Sequence, residues 1–560
     1  MSSHSSSYIF TPETFDLPYI SIPDRLKELA EEHPDRDAII CWSTDGQRRS
    51  IKYSELYTRS ELFAKGLAKI GIKRNSIIAM SNANSTEWLI CTFGSQMAGL
   101  TPLHISLANF SAGEIVSLLN GIGSCTAIVM EPSNIEVCNE FIETFNKRTE
   151  SSISTQVPTL RHIFFMNSTD EKYMTTQEIC NIGSLSRLPL PQISPDDICG
   201  IFLTSGSTGM AKTVPHTHLK MIHDGYGWGK NLEIQSGEKF YNNMPFSWQG
   251  SYPSVFLAMK PTHVTISDIM TMTCVTEITD FTLRVLKEEH CTSAFFISPV
   301  ISELVKRETR DLDIFPLRVI STAGLPVDAQ CANVIGKFAN KFGVLYGCTE
   351  IGMISQLLVR KTEDYDNYSC GYPANGTEIK VVNDNGSLIP LGHTGEIYIR
   401  QRHRFLGYMN AREKNDLCCE QSGWYKADDV GFIKQDGSLT VSGRKSDIMI
   451  LGGELVSSSY LEGLLKKHIC VADAYIYPMR HAQTFQKACA AIVVRKNKTV
   501  REDELKDFLI KQKETYGDSF LANRFIPEIF MFFESFPRTH SRKLDRKRLG
   551  EDIQKRLSTL

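Results

Sequence analysis

The chain of 560 residues is too long for one ordinary hydrophobic core, and its hydrophobic content of 42% is typical of a globular protein, so we expect at least two domains. Its formal net charge of −3 gives no basic excess for binding nucleic acid or anionic lipid. The 15 cysteines lack CxxC pairs and zinc-type spacing, which predicts reduced thiols. No apolar run has the roughly 20 residues that a membrane-spanning helix needs.

Neither end of the sequence carries a strong targeting signal. The start, MSSHSSSYIFTPETFDL, lacks the basic and apolar regions of a signal peptide, and Glu13 and Asp16 precede the first arginine, Arg25. The final Ser-Thr-Leu differs from the peroxisomal Ser-Lys-Leu address at its basic position. We therefore expect a cytoplasmic protein, with the peroxisome as the alternative.

Amphipathic segments alternate with short apolar runs along most of the chain. The run IPDRLKELAEEHPDRDAIICW predicts a helix, a turn at Pro34 and a buried strand, and SELYTRSELFAKGLAKIGI predicts a second helix. The runs SIIAM, TAIVM, HIFFM and LRVIST are predicted strands. This alternation of helices and strands favours an α/β architecture with largely buried strands.

The pattern changes in the last third of the chain. From about Thr377, TEIKVVNDNGSLIPLGHTGEIYIR contains two strand-like runs around an Asn-Gly turn, which predicts a β-rich subdomain. From about Arg444 the chain mixes short strands and helices and is rich in lysine, which predicts a small α+β domain. We place the N-terminal domain at residues 1–443 and the C-terminal domain at residues 444–560.

The stretch IFLTSGSTGMAKTVPHTH is a near miss to the phosphate loop of P-loop NTPases. It has the first glycine and Lys212, but Ala211 replaces the second glycine. In that loop the lysine begins a helix, whereas Pro215 biases Val214 toward extended backbone. We therefore predict a strand through GIFLT, a small-residue loop suited to polyphosphate, and an extended segment from Lys212. For GSTG alone, a flexible surface turn is the alternative.

With its lysine, this loop resembles that of the adenylate-forming superfamily: acyl- and aryl-CoA synthetases, adenylation domains of peptide synthetases and beetle luciferases. The usual family form is T-S-G-[ST]-T-G-x-P-K-G, from which Ala211 and Thr213 depart. Further similar blocks follow over nearly the whole chain. They are STAGLP, YGCTE, GWYKADDVGFIKQDGSLTVSGRKSDIMILGGELV and PRTHSRKLDRKRL.

The resemblance implies a nucleotide site. In it the aromatic ring of YGCTE stacks on adenine, the threonine contacts the α-phosphate, the glutamate binds Mg²⁺, and an aspartate and an arginine bind the ribose. The implied catalytic residues are Lys543, Thr349 and Glu350, and Glu350 is the implied metal ligand. The implied ATP or AMP site comprises Thr204, Ser205, Gly206, Ser207, Thr208, Gly209, Lys212, Gly324, Tyr346, Thr349, Asp429, Arg444 and Lys543.

The implied acid and CoA sites rest on shorter segments. The residues implied to line the acid pocket are Phe246, Trp248, Ala323 and Gly324, and those implied for the CoA tunnel are Gly452 and Gly453. Core packing is the alternative for the two aromatic residues, and a tight turn is the alternative for the glycine pair.

Several positions depart from the family pattern. Ala427 and Asp428 replace the usual Thr-Gly, which leaves the register of the ribose aspartate open between Asp428 and Asp429. Arg542 replaces a glycine. The resemblance implies that the small C-terminal domain is mobile and rotates about a hinge near Arg444, where Ser446 stands in place of the Asp or Lys that the family often has.

The implied function is activation of a fatty or aromatic carboxylic acid by ATP and Mg²⁺, with pyrophosphate release, followed by transfer of the acyl group to CoA. Because this chemistry joins two anions, catalysis requires positioning and electrostatic stabilisation. Three alternatives stay open: transfer to a carrier protein in trans, a luciferase-like oxygenase, and a nucleotide-binding protein that has lost catalysis.

Overall fold

The chain folds into two compact units in a computed structural model. The large unit comprises Ile9–Ile379 and Ile399–Tyr425, and the small unit comprises Met1–Tyr8, Lys380–Tyr398 and Lys426–Leu560. The residues that the structure describes are 6–81, 84–105, 111–131, 141, 157–166, 173–204, 211–267, 272, 274–307, 316–451, 454–481, 485–515, 526–537 and 544–558. Because residues 426–443 group with the C-terminal residues, this division differs from our boundary at 443/444, and the functional domains stay a prediction.

The described strands are β1 (Tyr8–Thr11), β2 (Asp37–Trp42), β3 (Arg48–Lys52), β4 (Ile77–Ser81), β5 (Thr101–Ile105), β6 (Cys125–Met130), β7 (His162–Phe165), β8 (Met174–Thr175), β9 (Ile198–Thr204), β10 (Lys212–Thr217), β11 (Lys239–Asn242), β12 (Thr262–Ile266), β13 (Ser293–Phe295), β14 (Val319–Ala323), β15 (Phe342–Cys348), β16 (Gly352–Val359), β17 (Ser369–Pro373), β18 (Thr377–Val382), β19 (Gly395–Gln401), β20 (Tyr425–Ile433), β21 (Leu439–Arg444), β22 (Ile448–Leu451), β23 (Glu454–Ser457), β24 (Val471–His481), β25 (Phe485–Val494) and β26 (Ile529–Phe533).

The described α-helices are α1 (Ile22–Glu32), α2 (Tyr53–Ile70), α3 (Thr86–Met97), α4 (Ala112–Ile122), α5 (Thr176–Ser184), α6 (His218–Asn231), α7 (Ser254–Met259), α8 (Val275–Glu288), α9 (Ser298–Val305), α10 (Arg412–Cys418), α11 (Ser458–Lys466), α12 (Glu502–Thr515) and α13 (Arg546–Leu557). Within the described chain, no helix is both long enough and apolar enough to span a bilayer.

Two largely parallel sheets form the large unit. One has the strand order β10-β9-β5-β4-β6-β7-β8, and only its β9/β10 pair is antiparallel. The other contains the parallel run β15-β14-β13-β11-β12-β2, with antiparallel β16 beside β15 and β3 beside β2. This arrangement confirms the predicted α/β fold, and the four predicted apolar runs correspond to β4, β6, β7 and β14.

Local sequence signals account for the first helices. The Ser21 side chain accepts a hydrogen bond from the Asp24 amide, and Pro23 lies in the first turn of α1, where its missing N–H costs nothing. Ile22, Leu26 and Leu29 then recur on one face and are fully buried. Helix α2 ends at Gly71, whose φ of 97° is the left-handed conformation that glycine adopts readily.

The small unit is mixed α and β. Strands β18, β19, β20 and β21 are neighbours in that order, which agrees with the predicted β-rich texture after Thr377. A second sheet has the order β23-β22-β25-β24, with β26 parallel to β25. Its core includes Leu461, Leu465, Ile492 and Leu505, each fully buried, so α11 and α12 pack on this sheet.

A buried carboxylate joins three strands of the large unit. Glu289, at the end of α8, accepts hydrogen bonds from Trp42 Nε1 at 2.8 Å, Arg48 Nε at 2.6 Å and Lys239 Nζ at 2.8 Å. Burial alone would raise the pKa of Glu289, but these donors more than offset it and lower the pKa to about 2.

Replacing this carboxylate should make stability less dependent on pH. The folded pKa of Glu289 lies below its ordinary value of 4.5, so its stabilisation is present above pH 4.5 and is lost as the pH falls toward 2. We expect Glu289→Gln to lower the free energy of unfolding by about 2 kcal/mol at neutral pH, with a smaller loss near pH 3. Urea denaturation at both pH values measures this, and the exposed Glu288→Gln is the matched control. A loss of equal size at both pH values would contradict the assignment.

Candidate functional site

Strands β9 and β10 present the two ends of the predicted phosphate loop. Thr204, the last residue of β9, pairs with Lys212, the first residue of β10, in an antiparallel hairpin. Lys212 therefore begins an extended segment, as predicted, and not a helix. Pro215 is tolerated because β10 is at the edge of its sheet. The predicted loop residues Ser205, Gly206, Ser207, Thr208 and Gly209 lie outside the described residues.

A tyrosine connects Lys212 with Glu350. The Tyr408 hydroxyl donates a hydrogen bond to Glu350 Oε1 at 2.7 Å and lies 3.4 Å from Lys212 Nζ. The lysine ammonium is also 4.8 Å from the centre of the Tyr408 ring, within cation–π range. Thr213 and Met409 add a backbone hydrogen bond of 3.0 Å between the same segments. The hairpin and the YGCTE segment are thus held together through Tyr408.

Glu350 has the character of a magnesium ligand. Its side chain is buried, and its carboxyl oxygens are the hard donors that Mg²⁺ takes beside substrate phosphates. Burial, together with the Glu350 charge, raises the pKa of Tyr408, so the phenol stays protonated and donates to the carboxylate. The residues present therefore fit a magnesium ion held by one protein carboxylate and a nucleotide.

The carboxyl ends of two neighbouring parallel strands bring other predicted residues to one edge. Strand β14 ends at Ala323 and is followed by Gly324, whose φ is 82°, while β15 carries Tyr346 near its end. Ala323 pairs with Leu345, so Gly324 and Tyr346 lie at the same edge of the sheet. Ligands of parallel α/β sheets bind beyond this edge.

The two predicted aromatic pocket residues have different environments. Phe246 is 1% exposed and packs with Trp88 and His263, at ring distances of 5.4 Å and 5.3 Å. Trp248 is 46% exposed. The environment of Phe246 matches its alternative, core packing, whereas Trp248 is accessible to a ligand. The pocket roles of both residues stay predictions.

In the small unit, Asp429 and Arg444 face each other across β20 and β21. They form a cross-strand pair in which Arg444 Nε lies 3.2 Å from Asp429 Oδ1. The arginine also donates to the Ala427 carbonyl oxygen at 2.9 Å. Asp429 is buried, whereas Asp428 is exposed and has a φ of 56°. This left-handed backbone suits the glycine that usually precedes the family's aspartate, which favours Asp429 as the matching residue.

Other implied residues cannot be placed. Lys543, Gly452 and Gly453 lie outside the described residues, as does Arg542. Their roles remain predictions.

Tyr408 was not predicted from the sequence. It lies in FLGYMN, and its hydrogen bond with Glu350 spans 58 residues of sequence. The only local signal was an aromatic residue beside a glycine, which is too common to single out.

A protein-family model described as "AMP-binding enzyme" matches residues 26–409, and the chain belongs to this family. A 4-coumarate–CoA ligase of Vanilla planifolia is 26% identical over 566 residues, which cover 97% of this chain and 95% of the relative. A mitochondrial medium-chain acyl-CoA ligase of Danio rerio is 23% identical and covers 99% and 91%, respectively. The anthranilate–CoA ligase AuaEII, solved with anthranoyl-AMP, has the same fold, with a TM-score of 0.79, 19% identity and coverage of 97% and 99%.

Changing Asp428 tests the backbone assignment beside Asp429. Because the left-handed conformation is unstrained for glycine, we expect Asp428→Gly to raise the free energy of unfolding by about 1 kcal/mol. The β-branched control Asp428→Val should lower it by about 1 kcal/mol. Urea denaturation followed by tryptophan fluorescence measures both changes. Equal stability of the two variants would contradict the left-handed assignment.

Proposed function

We propose that this protein is an ATP-dependent ligase that joins a hydrophobic carboxylic acid, aromatic or aliphatic, to CoA. The acid and ATP give an acyl-adenylate and pyrophosphate, and CoA then takes the acyl group and releases AMP. Family membership and the CoA-ligase names of full-length relatives support this reaction. We expect it to act in the cytoplasm on these small molecules without a nucleic-acid partner.

The observation that carries the proposal is the contact of Tyr408 with both Lys212 and Glu350. It joins a cation at the end of the phosphate loop to a carboxylate suited to Mg²⁺. A bound Mg²⁺ would neutralise charge on the nucleotide phosphates. The Tyr408 hydroxyl contacts both the Glu350 carboxylate and the Lys212 ammonium, so that each of these two groups stays available for the nucleotide.

In the first step, a carboxylate oxygen of the acid attacks the α-phosphorus, and the bond to the pyrophosphate oxygen breaks. Both reactants are anions, so cations near the α-phosphate stabilise the transition state. We assign this role to Lys212 and Lys543, with Thr349 positioning the α-phosphate. In the second step, the CoA sulfur attacks the acyl carbon, the thiol proton is released, and AMP leaves.

The acid pocket includes Trp248 in this proposal, with Ala323 and Gly324 at the adenine border. Its exposed indole offers a flat apolar surface for an aromatic ring or an alkyl chain. The names of the relatives cover both kinds of acid, since one acts on 4-coumarate and another on medium-chain acyl groups.

A panel of acids tests the proposal. We expect pyrophosphate release from ATP that depends on a cinnamate-like, benzoate-like or medium-chain acid, with AMP as the second product and net turnover that requires CoA. Acetate and succinate are the controls, because an apolar pocket gains little from a short or doubly charged acid. ADP and orthophosphate as products would contradict the proposal. Turnover with a phosphopantetheinyl carrier but not with CoA would instead identify a carrier protein as the acceptor.

A further inference from the structure

Two side chains hold the backbone on either side of Glu350. His216 Nε2 lies 2.7 Å from the carbonyl oxygen of Thr349, and Lys220 Nζ donates to the carbonyl oxygen of Ile351 at 2.6 Å. Both donors come from the segment that follows the phosphate loop: His216 lies on β10, and Lys220 lies in the first turn of α6. The carbonyl groups before and after Glu350 are therefore tied to one short segment.

The histidine is suited to act as a neutral donor. His216 is 2% exposed, and burial, assisted by the Lys220 charge, lowers its pKa to about 3. Because a carbonyl oxygen only accepts hydrogen bonds, the proton of the neutral ring must be on Nε2. The contact with Thr349 is therefore fixed in one tautomer throughout the physiological pH range.

The Lys220 side chain is held in place by the buried carboxylate of Asp224. Lys220 Nζ contacts both oxygens of Asp224, at 2.9 Å and 3.1 Å, one helical turn along α6. Gln249 Nε2 donates to Asp224 Oδ2 at 2.9 Å and so fixes the carboxylate. A side chain at Gly352 would lie 2.4 Å from Asp224 Oδ2, so only a glycine lets the backbone approach this ion pair.

The main role of this ion pair is not to stabilise the fold. A buried pair contributes little net free energy, because desolvation offsets the attraction between its charges. What it provides here is an ammonium group with a fixed direction, pointing at the carbonyl oxygen next to Glu350. Groups that orient a metal ligand in this way affect metal affinity without touching the metal.

We propose that His216 and Lys220 are positioning residues that hold the Thr349–Ile351 backbone and so aim the Glu350 carboxylate at the magnesium ion of the bound nucleotide. Asp224 and Gln249 act one step further out by directing the Lys220 ammonium. This inference rests on the proposed function, and within that function it links the segment after the phosphate loop with the metal ligand.

Two pairs of variants separate positioning from folding. His216→Leu removes the donor, whereas His216→Gln keeps an N–H group at a similar reach. The double variant Lys220→Met/Asp224→Asn removes both charges and leaves no unpaired buried charge, and Lys260→Met, at an exposed pair with Glu32, is its control. Thermal unfolding shows whether each variant is folded.

The decisive measurement is calorimetric binding of a non-hydrolysable ATP analogue with and without Mg²⁺. In His216→Leu and in the double variant, we expect the gain in affinity that Mg²⁺ provides to be about tenfold smaller than in the wild-type protein, while metal-free binding is unchanged. His216→Gln should retain most of the gain. In acid-dependent pyrophosphate exchange, the half-saturating Mg²⁺ concentration should rise about tenfold while the KM for the acid stays within about twofold.

The outcomes are distinct. An unchanged Mg²⁺ dependence in both His216→Leu and the double variant would overturn the positioning roles, as would an equal loss of metal-free binding. If the wild-type protein shows no acid-dependent exchange, the proposed function fails, but calorimetry still decides whether these residues position Glu350.

Discussion

The hydrogen bond that Tyr408 donates to Glu350 is the contact on which the candidate site in the large unit depends. A buried carboxylate is costly unless it is hydrogen-bonded or paired, and at 2.7 Å this phenol satisfies one of its oxygens without neutralising its charge. The same hydroxyl lies 3.4 Å from Lys212, so the lysine and the glutamate are neighbours that do not form a direct ion pair. Both charges therefore remain available to a nucleotide and its metal ion.

The parallel sheets explain why these groups meet. Parallel strands end at a common edge, so residues far apart in sequence, such as Gly324 and Tyr346, come to the same side of the sheet. The antiparallel hairpin of β9 and β10 then carries Lys212 and His216 along one strand. The contacts from His216 to the Thr349 carbonyl oxygen and from Lys220 to the Ile351 carbonyl oxygen span 133 and 131 residues, respectively, and connect the segment after the phosphate loop to the backbone on either side of Glu350.

Local patterns were enough to predict several helices and strands but not these contacts. Pro215 and the β-branched residues beside it correctly indicated that Lys212 begins a strand, because those residues restrict their own backbone. The apolar runs correctly indicated β4, β6, β7 and β14. Tyr408, His216 and Lys220 could not be found in this way, because their roles depend on partners far away in sequence. The left-handed backbone of Asp428 and the cross-strand position of Arg444 favour Asp429 over Asp428, and neither feature could be predicted from the sequence pattern.

In the proposed reaction the acid attacks the α-phosphorus of ATP, and the transfer of oxygen from the acid to AMP reveals this step. An acid labelled with ¹⁸O in its carboxylate is incubated with ATP, Mg²⁺ and CoA, and the products are analysed by mass spectrometry. Because the bridging oxygen of the acyl-adenylate comes from the acid and leaves with AMP, each AMP should carry one labelled oxygen. Label in orthophosphate, with ADP as the other product, would contradict the account, because it would show attack on the γ-phosphorus.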